Sequence, residues 1–523
     1  MFDKLSLHFP SKIWKHGSIQ WVLGESTLGT SHLASRWIFL RILGVIYLVA
    51  FLSLEDQLNG LIGSRGILPA HEFLAAVSRV FGPERFRLFP TIFWWNSSDT
   101  FLQIACYGGI ALSLALIVGI APLFCLIFLW ILYLSFTVVG QAFFSFQWDV
   151  LLLEVGFLTI FFAPLNPYPR FSRETAISPL MLLLLWWVLF RLILESGIVK
   201  LTSGDNTWRD LSALRYHYET QPLPTWIGWY MHQLPFSFQK ISTFFTLACE
   251  LLAPLLLFGP RRFKLTGCSA IVLLQLLIML TGNYTFFNLL TIALCLLIPD
   301  HRFWKSMLPR RWLVSESSAV SSRSMLPIPY GMLLVVVSFL VLIISSVTLA
   351  QTIFPNLPIP GQINRLISWV EPFRSINSYG LFRVMTTRRM ELLIDGSNDG
   401  QNWQTYEFGW KPGNLSQRPE FVEPFQPRLD WQMWFAALGG YEQDWFTRFL
   451  LQLMRGSPPV LALLARNPFP DRPPQYLRVL QYEYHFTNFK TRAKTGQWWW
   501  REPKRVIYPP MALAKGENVV DAP

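Results

Sequence analysis

The chain has 523 residues, of which 52% are hydrophobic and only 15% are charged, whereas soluble proteins carry about 25% charged residues. This composition excludes an ordinary soluble globular protein and indicates several membrane-spanning helices. The formal net charge of +12 does not indicate nucleic-acid binding, because the basic residues lie in short clusters between apolar segments, where they orient membrane helices. We therefore expect the lipid bilayer as a partner, and no nucleic acid.

About nine apolar segments are candidates for membrane spans, each of which needs about 20 apolar residues. The fourth and eighth are short, and they are equally compatible with tilted, re-entrant or simply buried helices. The pattern predicts a polytopic α-helical membrane bundle over residues 35–350. In chain order the predicted segments are 35–54, 101–120, 123–139, 150–162, 179–199, 241–258, 265–281, 286–298 and 328–350.

Two longer polar segments, at 55–100 and 200–240, interrupt the apolar pattern and are expected to be outer loops. The basic segment 261–264 lies in a very short loop, so the positive-inside rule predicts that this loop is cytoplasmic. Alternation of the spans then predicts that residues 1–34 are also cytoplasmic. The same alternation predicts that both polar segments and the region after residue 350 are non-cytoplasmic.

The region after the last span has the alternating pattern of a water-exposed domain, which we predict over residues 356–510. A strand at 389–396 is followed by a turn signal and a second strand at 403–408, which together indicate a hairpin. The domain is therefore predicted to be mixed but mainly β, with residues 511–523 as a tail. Its other predicted elements are helices at 429–438 and 445–454 and a strand at 477–486.

The ionisable residues in or beside the predicted spans form the first candidate site: Asp149, Glu154, Arg191, Glu195 and Glu250. Arg191 and Glu195 are one helical turn apart and share a face. Charges inside a membrane are costly and face protein or trapped water. They therefore indicate either a buried polar site or pairing that fixes helix register. We predict that Glu154 and Arg191 pair across two helices.

The central segment 200–240 contains the second candidate site, a dense set of polar and aromatic residues. His217, Glu219 and His232 suit acid–base chemistry or recognition of a partner's backbone, and a packed loop with internal hydrogen bonds is the alternative. Arg209 and Asp210 suit an anion clamp or, alternatively, a solvated pair. No metal-ligand spacing occurs among these histidines.

Aromatic residues form the third candidate site and are predicted to contact a protein client. Trp208 and Tyr218 lie in the central segment, and Trp431 and Trp434 lie in the C-terminal region. Exposed tryptophans would indicate a partner surface, because binding hot spots are rich in Trp, Tyr and Arg. Buried ones would indicate a structural cluster.

A series of short motifs resembles the lipase maturation factor family. The central segment contains WRDL at 208–211 and HYETQPLP at 217–224. The motifs follow one another through most of the chain, which makes them specific together although no single one would suffice. The others are GILP at 66–69, DVLLLEVGF at 149–157, NSYGLF at 377–382, RLDWQMWFAA at 428–437 and NPF at 467–469.

The resemblance implies a multi-spanning membrane protein that helps secreted lipases fold and assemble into active dimers. It implies the endoplasmic reticulum membrane if the chain is eukaryotic, and the inner or plasma membrane if it is bacterial. The membrane part of the family is distantly similar to that of the vitamin K-dependent carboxylase. The resemblance supplies no catalytic residue, cofactor or metal, and we assign none.

We therefore expect a membrane-embedded maturation factor that binds a secreted client, a lipase being the candidate, at the non-cytoplasmic face. The alternative is an integral membrane enzyme acting on a lipid-soluble or secreted substrate. Such an enzyme would need a cavity lined by Glu154, Arg191, Glu195 and His217. The sequence has no nucleophile-elbow, Walker A or dinucleotide-binding motif, which favours the non-enzymatic role.

Overall fold

The computed structural model describes residues 32–169, 177–307 and 326–513, and the backbone of residues 519–521. Most of the predicted N-terminal segment 1–34 therefore lies outside the described residues. The helices before the C-terminal region are α1 (Leu33–Glu55), α2 (Leu58–Ile62), α3 (Ala70–Phe81), α4 (Arg85–Leu88), α5 (Asp99–Val118), α6 (Pro122–Val139), α7 (Gln147–Phe162), α8 (Pro179–Thr202), α9 (Asn206–Arg209), α10 (Ala213–Thr220), α11 (Trp226–His232), α12 (Phe236–Leu256), α13 (Arg261–Thr281), α14 (Phe287–Cys295), α15 (His301–Met307) and α16 (Ile328–Ile353).

Six described helices are long and apolar enough to cross a membrane, namely α1, α5, α6, α8, α13 and α16. The predicted count of about nine spans is not confirmed. Helix α7 has 16 residues and α14 has nine, and both are shorter than a full span. Helix α12 has 21 residues but includes Lys240 and Glu250, so its composition is less apolar than that of the six.

The bundle has two ends, which we call proximal and distal according to their distance from the C-terminal region. At the distal end, Ser35 at the start of α1 donates its hydroxyl to the Pro299 carbonyl over 2.6 Å. At the proximal end, Gln57 follows α1 and donates its amide to the Gln426 carbonyl over 2.7 Å. Helix α1 therefore runs from the distal to the proximal end, and the direction then reverses from one helix to the next through α5, α6, α7, α8, α12, α13, α14 and α16.

The turn between α5 and α6 shows why the chain reverses sharply at the distal end. Gly119 has φ 91° and its N–H bonds to the carbonyls of Ala115 and Leu116, closing the last turn of α5. A side chain would be strained in this left-handed conformation, which favours glycine. Pro122 then occupies the first turn of α6, where its missing N–H costs nothing.

The segments 55–100 and 200–240, which were predicted as outer loops between spans, are largely helical. Helices α2, α3 and α4 occupy the first segment, and α9, α10 and α11 occupy the second. Short helices pair backbone groups internally while their apolar sides, such as Leu74 and Val77 of α3, are buried. The two segments are therefore packed layers on the proximal end of the bundle.

The C-terminal region contains one antiparallel sheet in the order β2-β1-β3-β4-β5. The predicted hairpin is confirmed, with Asp395 opposite Thr405. The strands are β1 (Arg389–Ser397), β2 (Gln404–Thr405), β3 (Tyr476–Phe486), β4 (Trp499–Leu513) and β5 (Val519–Asp521), and the helices are α17 (Gly361–Val370), α18 (Arg428–Ala437), α19 (Asp444–Met454), α20 (Pro458–Leu461) and α21 (Phe489–Thr495).

Two details of the C-terminal prediction need correction. The region is mixed rather than mainly β, because its helices take up as much of the described chain as its strands. The predicted tail 511–523 is also wrong in part, since β4 continues to Leu513 and β5 pairs with it. The predicted helices at 429–438 and 445–454 and the strand at 477–486 are confirmed by α18, α19 and β3.

The membrane helices and the C-terminal region share one hydrophobic core. A continuous cluster of buried side chains extends from Leu33 in α1 to Met511 in β4 and includes Trp148, Trp431 and Phe446. Trp148 and Trp431 pack edge to face with ring centroids 4.7 Å apart. The C-terminal region is therefore docked on the bundle, and its position is fixed by packing.

Candidate functional site

The central segment packs directly against the C-terminal region, and we call residues 200–240 and 375–513 together the composite region. Trp208 donates its indole N–H to the Phe382 carbonyl over 3.0 Å. Thr220 donates to the Thr386 carbonyl over 2.7 Å. In the opposite direction, Trp434 donates its indole N–H to the Thr220 carbonyl over 2.8 Å. The two segments therefore form a single surface layer.

Arg389 of β1 anchors this layer from within. Its guanidinium donates to the carbonyls of Glu219 and Pro222 over 2.8 and 2.9 Å, and also to the Gln221 carbonyl. The side chain is fully buried and pairs with Glu391 over 2.7 Å. A buried arginine needs such a complete set of partners, so Arg389 fixes the end of α10 against the sheet.

The four aromatic candidates Trp208, Tyr218, Trp431 and Trp434 are all buried, with 2 to 9% of their surface exposed. This burial favours the structural interpretation of these residues over direct contact with a partner. Trp208 and Trp434 join the central segment to the C-terminal region through their indole N–H groups, and Trp431 packs against Trp148 of α7.

Arg209 and Asp210 are exposed but do not form a clamp with each other. Asp210 accepts the Ser212 N–H over 2.9 Å, and this hydrogen bonding lowers the pKa of the Asp210 carboxyl. Arg209 donates to the Leu201 carbonyl over 3.4 Å. Both side chains therefore serve local backbone positions, with their remaining surface open to solvent.

His217 does not join Glu219 and His232, although the three were predicted as one cluster. Its Nε2 lies 2.8 Å from the Tyr284 hydroxyl, which in turn donates to Gln221 Oε1 over 2.6 Å. Burial lowers the pKa of His217 to about 3. His217 is thus a neutral member of a packed hydrogen-bonded chain, as the alternative interpretation expects.

Glu219 instead lies between two histidines, one of which the sequence did not reveal. Its carboxylate is 3.7 Å from His232 Nε2 and 3.4 Å from His485 Nδ1, and it accepts the Phe486 N–H over 2.7 Å. The Glu219 carboxylate raises the pKa of His485, whereas burial lowers the pKa of His232. His485 was missed because the β3 pairing that brings it here is not local in sequence.

The predicted pair of Glu154 and Arg191 is present between α7 and α8. Glu195 lies 3.9 Å from Arg191, and all three side chains are fully buried. The C-terminal region completes the cluster, because Tyr379 donates its hydroxyl to Glu154 over 2.6 Å and its N–H to Glu195 over 2.7 Å. Asn377 also donates its N–H to Glu154 over 2.9 Å. We call these five residues the junction cluster.

Asp149 makes a second connection of the same kind, and its partner Arg428 was not predicted. The guanidinium binds both carboxylate oxygens over 2.9 and 3.1 Å, and Tyr133 donates its hydroxyl to the same carboxylate over 2.5 Å. Arg428 and Asp149 are fully buried. The signal that could have found the pair is a lone arginine beside the apolar face of α18, which needs a buried acid.

A third buried pair lies within the membrane helices. Lys200 near the end of α8 pairs with Glu250 of α12, and the lysine ammonium also lies 5.1 Å from the ring centroid of Trp208. The pair ties α12 to the central segment. The predicted residues Asp149, Glu154, Arg191 and Glu195 thus all lie in buried ion pairs, which supports the register-fixing interpretation over a proton path.

A group of exposed aromatic residues lies on the composite region. We call Trp226, Tyr230, Phe421, Phe489 and Arg492 the aromatic patch. Tyr230, Phe421 and Phe489 expose 39%, 41% and 56% of their surface. Trp226 lies 5.7 Å from Phe421 and 6.2 Å from Tyr230, measured between ring centroids, and Tyr230 lies 6.0 Å from Phe489. The patch draws on both segments of the composite region.

Two known protein families match this chain. The family described as lipase maturation factor transmembrane domain matches residues 34–306. The family described as lipase maturation factor C-terminal domain matches residues 375–509. The chain belongs to the lipase maturation factor family. The two matched ranges cover the bundle from α1 to α15 and the docked C-terminal region, and the junction cluster joins them.

Individual relatives in the family match the chain over most of its length. It is 36% identical to lipase maturation factor 2 of Gallus gallus, with 93% of this chain and 82% of the relative covered. It is 34% identical to lipase maturation factor 2 of Homo sapiens, with 91% and 82% covered. It is also 34% identical to lipase maturation factor 1 of Bos taurus, with 91% and 89% covered. No solved structure matches it.

Proposed function

We propose that this chain is a maturation factor that binds secreted clients at the non-cytoplasmic face of the membrane and assists their folding. Its relatives are named lipase maturation factors, so a secreted lipase is the proposed client. The observation that carries the binding mechanism is the aromatic patch. Exposed Trp, Tyr and Phe beside an arginine are enriched where proteins bind proteins.

The distribution of basic residues supports the proposed orientation of the chain in the membrane. Arg261, Arg262 and Lys264 begin α13 at the distal end, and Arg302 and Lys305 lie in α15 at the same end. The positive-inside rule favours a cytoplasmic location for such short basic segments. The composite region lies at the proximal end, which is then lumenal in the endoplasmic reticulum of a eukaryotic cell. Residues 1–34 would lie on the cytoplasmic side.

Orientation can be tested separately from binding. All five native cysteines are buried, so single exposed cysteines can be introduced against a low background. In sealed microsomes, Trp500→Cys should be protected from an impermeant thiol reagent until detergent is added, and Arg262→Cys should be labelled at once. Labelling of both positions without detergent, or of Trp500→Cys alone, would overturn the proposed topology.

The binding mechanism depends on a surface held rigidly near the bilayer. Arg389 and the junction cluster fix the composite region to the bundle, so the aromatic patch is presented without the entropic cost of ordering a flexible arm. A client segment with exposed apolar side chains would cover the rings. Such contacts protect the client from aggregation until its own core forms.

The test compares the patch with another exposed aromatic residue. Tyr230→Ala and Phe489→Ala should each reduce co-purification of a co-expressed secreted lipase by about tenfold, the size of a modest hot-spot loss. Trp95→Ala is the control, because Trp95 is 85% exposed and lies outside the patch. Unchanged lipase capture in both patch variants, with normal membrane insertion, would overturn the binding mechanism.

The buried candidates make a distinct contribution. Trp208→Ala and Tyr218→Ala should also reduce lipase capture, but through a loosened composite region. Their effect should therefore come with a lower thermal midpoint, whereas the patch variants should keep the wild-type midpoint. Exposed Arg209 and Asp210, and the Glu219–His232 pair, are proposed to modulate client contacts at the edge of the region.

The membrane-enzyme alternative has less support. It requires Glu154, Arg191, Glu195 and His217 around one substrate cavity, whereas His217 contacts Tyr284 in a separate hydrogen-bonded chain. The first three side chains are fully buried and occupied by each other and by Asn377 and Tyr379. This arrangement leaves the carboxylates little room for a substrate.

A further inference from the structure

A cavity of about 420 Å³ lies at the distal end of the bundle, far from the composite region. Its walls come from His32 before α1, the first half of α8, the start of α13 and the segment around the start of α15. The residues that matter for its chemistry are Trp186, Arg261, Lys264, Asp300 and Arg302. A volume of this size accommodates a small polar ligand or a lipid head group.

The charges around the cavity are unbalanced. Arg261 donates two hydrogen bonds to Asp300, over 2.7 and 3.2 Å, and Asp300 also accepts the Phe303 N–H over 3.0 Å. This carboxylate is therefore fully engaged. Lys264 and Arg302 line the same cavity, and among the described residues neither has a carboxylate within ion-pair distance. Within the described part of the chain, the cavity thus has two cations without a paired carboxylate.

Lys264 is held in place by an aromatic wall. Its ammonium lies 4.4 Å from the ring centroid of Trp186, and the Trp186 indole N–H is already donated to the Leu297 carbonyl over 3.1 Å. The Trp186 ring is therefore fixed in orientation, and the Lys264 ammonium lies over its face. A cation–π contact of this kind orients the lysine but leaves its three N–H donors available to an anion.

The cavity is positioned at a membrane boundary. Lys264 lies in the first turn of α13, a helix apolar and long enough to span the bilayer. Phe258 and Phe263, which flank the lining residues in sequence, expose 47% and 54% of their surface. Exposed aromatic rings beside basic residues are typical of the level of the lipid head groups. The ligand can therefore arrive from the bilayer as well as from water.

We propose that this cavity binds a phosphate group, supplied by the head group of an anionic phospholipid. Lys264 and Arg302 would donate charge-assisted hydrogen bonds to the phosphate oxygens, and the Arg261–Asp300 pair would hold the start of α13 in place. Basic pockets between membrane helices are suited to anionic lipid head groups. The same donors would accept a free phosphate, so the source of the phosphate must be tested.

The experiment uses the full chain in a neutral detergent and a phosphate-free buffer. Binding of dioctanoyl phosphatidic acid is titrated alongside dioctanoyl phosphatidylcholine, glycerol 3-phosphate and inorganic phosphate. Lys264→Gln and Arg302→Gln should each weaken phosphatidic acid binding by about tenfold, as expected for losing one charge-assisted contact. Arg262→Gln and Lys305→Gln are the matched controls, because they carry the same charge nearby without lining the cavity.

Each result has a defined meaning. Tight binding of phosphatidic acid, lost in the lining variants and kept in the controls, supports the lipid site. Equally tight binding of inorganic phosphate or glycerol 3-phosphate supports the phosphate site but overturns the lipid as its source. Equal affinity in all four variants, or no binding of any phosphate compound, overturns the site. Thermal profiles of the variants verify that each remains folded.

Discussion

The buried pair of Arg428 and Asp149 gives the sharpest test of how the C-terminal region is attached. In Arg428→Leu, the Asp149 carboxylate keeps only the Tyr133 hydroxyl among the partners described above. Removing one partner of a fully buried ion pair costs about 3–5 kcal/mol. The loss should therefore be large compared with that of any surface charge in this chain.

The size of the expected thermal shift follows from the length of the chain. Unfolding entropy is about 2.1 cal/mol/K per residue, or about 1.1 kcal/mol/K for 523 residues unfolding together. Arg428→Leu should therefore lower the thermal midpoint by about 3–5 °C. A thiol-reactive fluorophore is a suitable reporter in detergent, because all five cysteines are buried and react only on unfolding.

Arg448→Leu is the matched control. Arg448 also connects the C-terminal region to the bundle side, through Glu72 over 2.8 Å, and it pairs within its own helix with Asp444 over 2.7 Å, but its side chain is 40% exposed. An exposed pair contributes about 0–1 kcal/mol, so this midpoint should move by less than about 1 °C. Adding Asp149→Asn to Arg428→Leu should recover part of the loss. Equal shifts in the two arginine variants would refute the reasoning.

Two further predictions concern other buried polar groups. Tyr379→Phe removes the hydroxyl that donates to Glu154 and should cost about 1.5–3 kcal/mol. Tyr406→Phe should be neutral or stabilising, because its buried hydroxyl has no hydrogen-bond partner among the described residues. Equal losses of thermal midpoint in Tyr379→Phe and Tyr406→Phe would contradict this expectation. Burial raises the pKa of Glu423 to about 8, so the folded state retains a proton that the unfolded state releases above its ordinary pKa of 4.5. Glu423 should therefore contribute a loss of stability as pH rises from about 4.5 to 8. Comparison of wild type with Glu423→Gln in thermal scans across this range should isolate that contribution as a difference between the two slopes, and identical slopes would argue against the buried carboxyl.

Part of this architecture could be predicted because its signals are local. The Glu154–Arg191 pair followed from two opposite charges in neighbouring apolar segments, where each needs a partner. The hairpin of β1 and β2 followed from alternation and turn residues. In both cases the deciding interaction joins segments that are close in sequence or share a simple periodic pattern.

The remaining partners could not be predicted because they come from far along the chain. Arg428 reaches Asp149 and Tyr379 reaches Glu154 only after the C-terminal region has docked on the bundle. The burial of the aromatic candidates could not be predicted for the same reason. Trp208 and Trp434 have the composition of a binding surface, but that composition is also suited to an interface within the chain, and docking buried them.

Helix α7 explains why docking fixes the composite region so firmly. Asp149 and Glu154 are five positions apart, which places them about 140° from each other around the helix axis. One therefore faces Arg428, while the other faces Arg191 and the segment of Asn377 and Tyr379. A helix of 16 residues is thus bound to the C-terminal region on two sides. Tilting it would break one buried ion pair or the other, so the bundle and the composite region should move as one body. A client held at the aromatic patch would then stay at a fixed height above the bilayer.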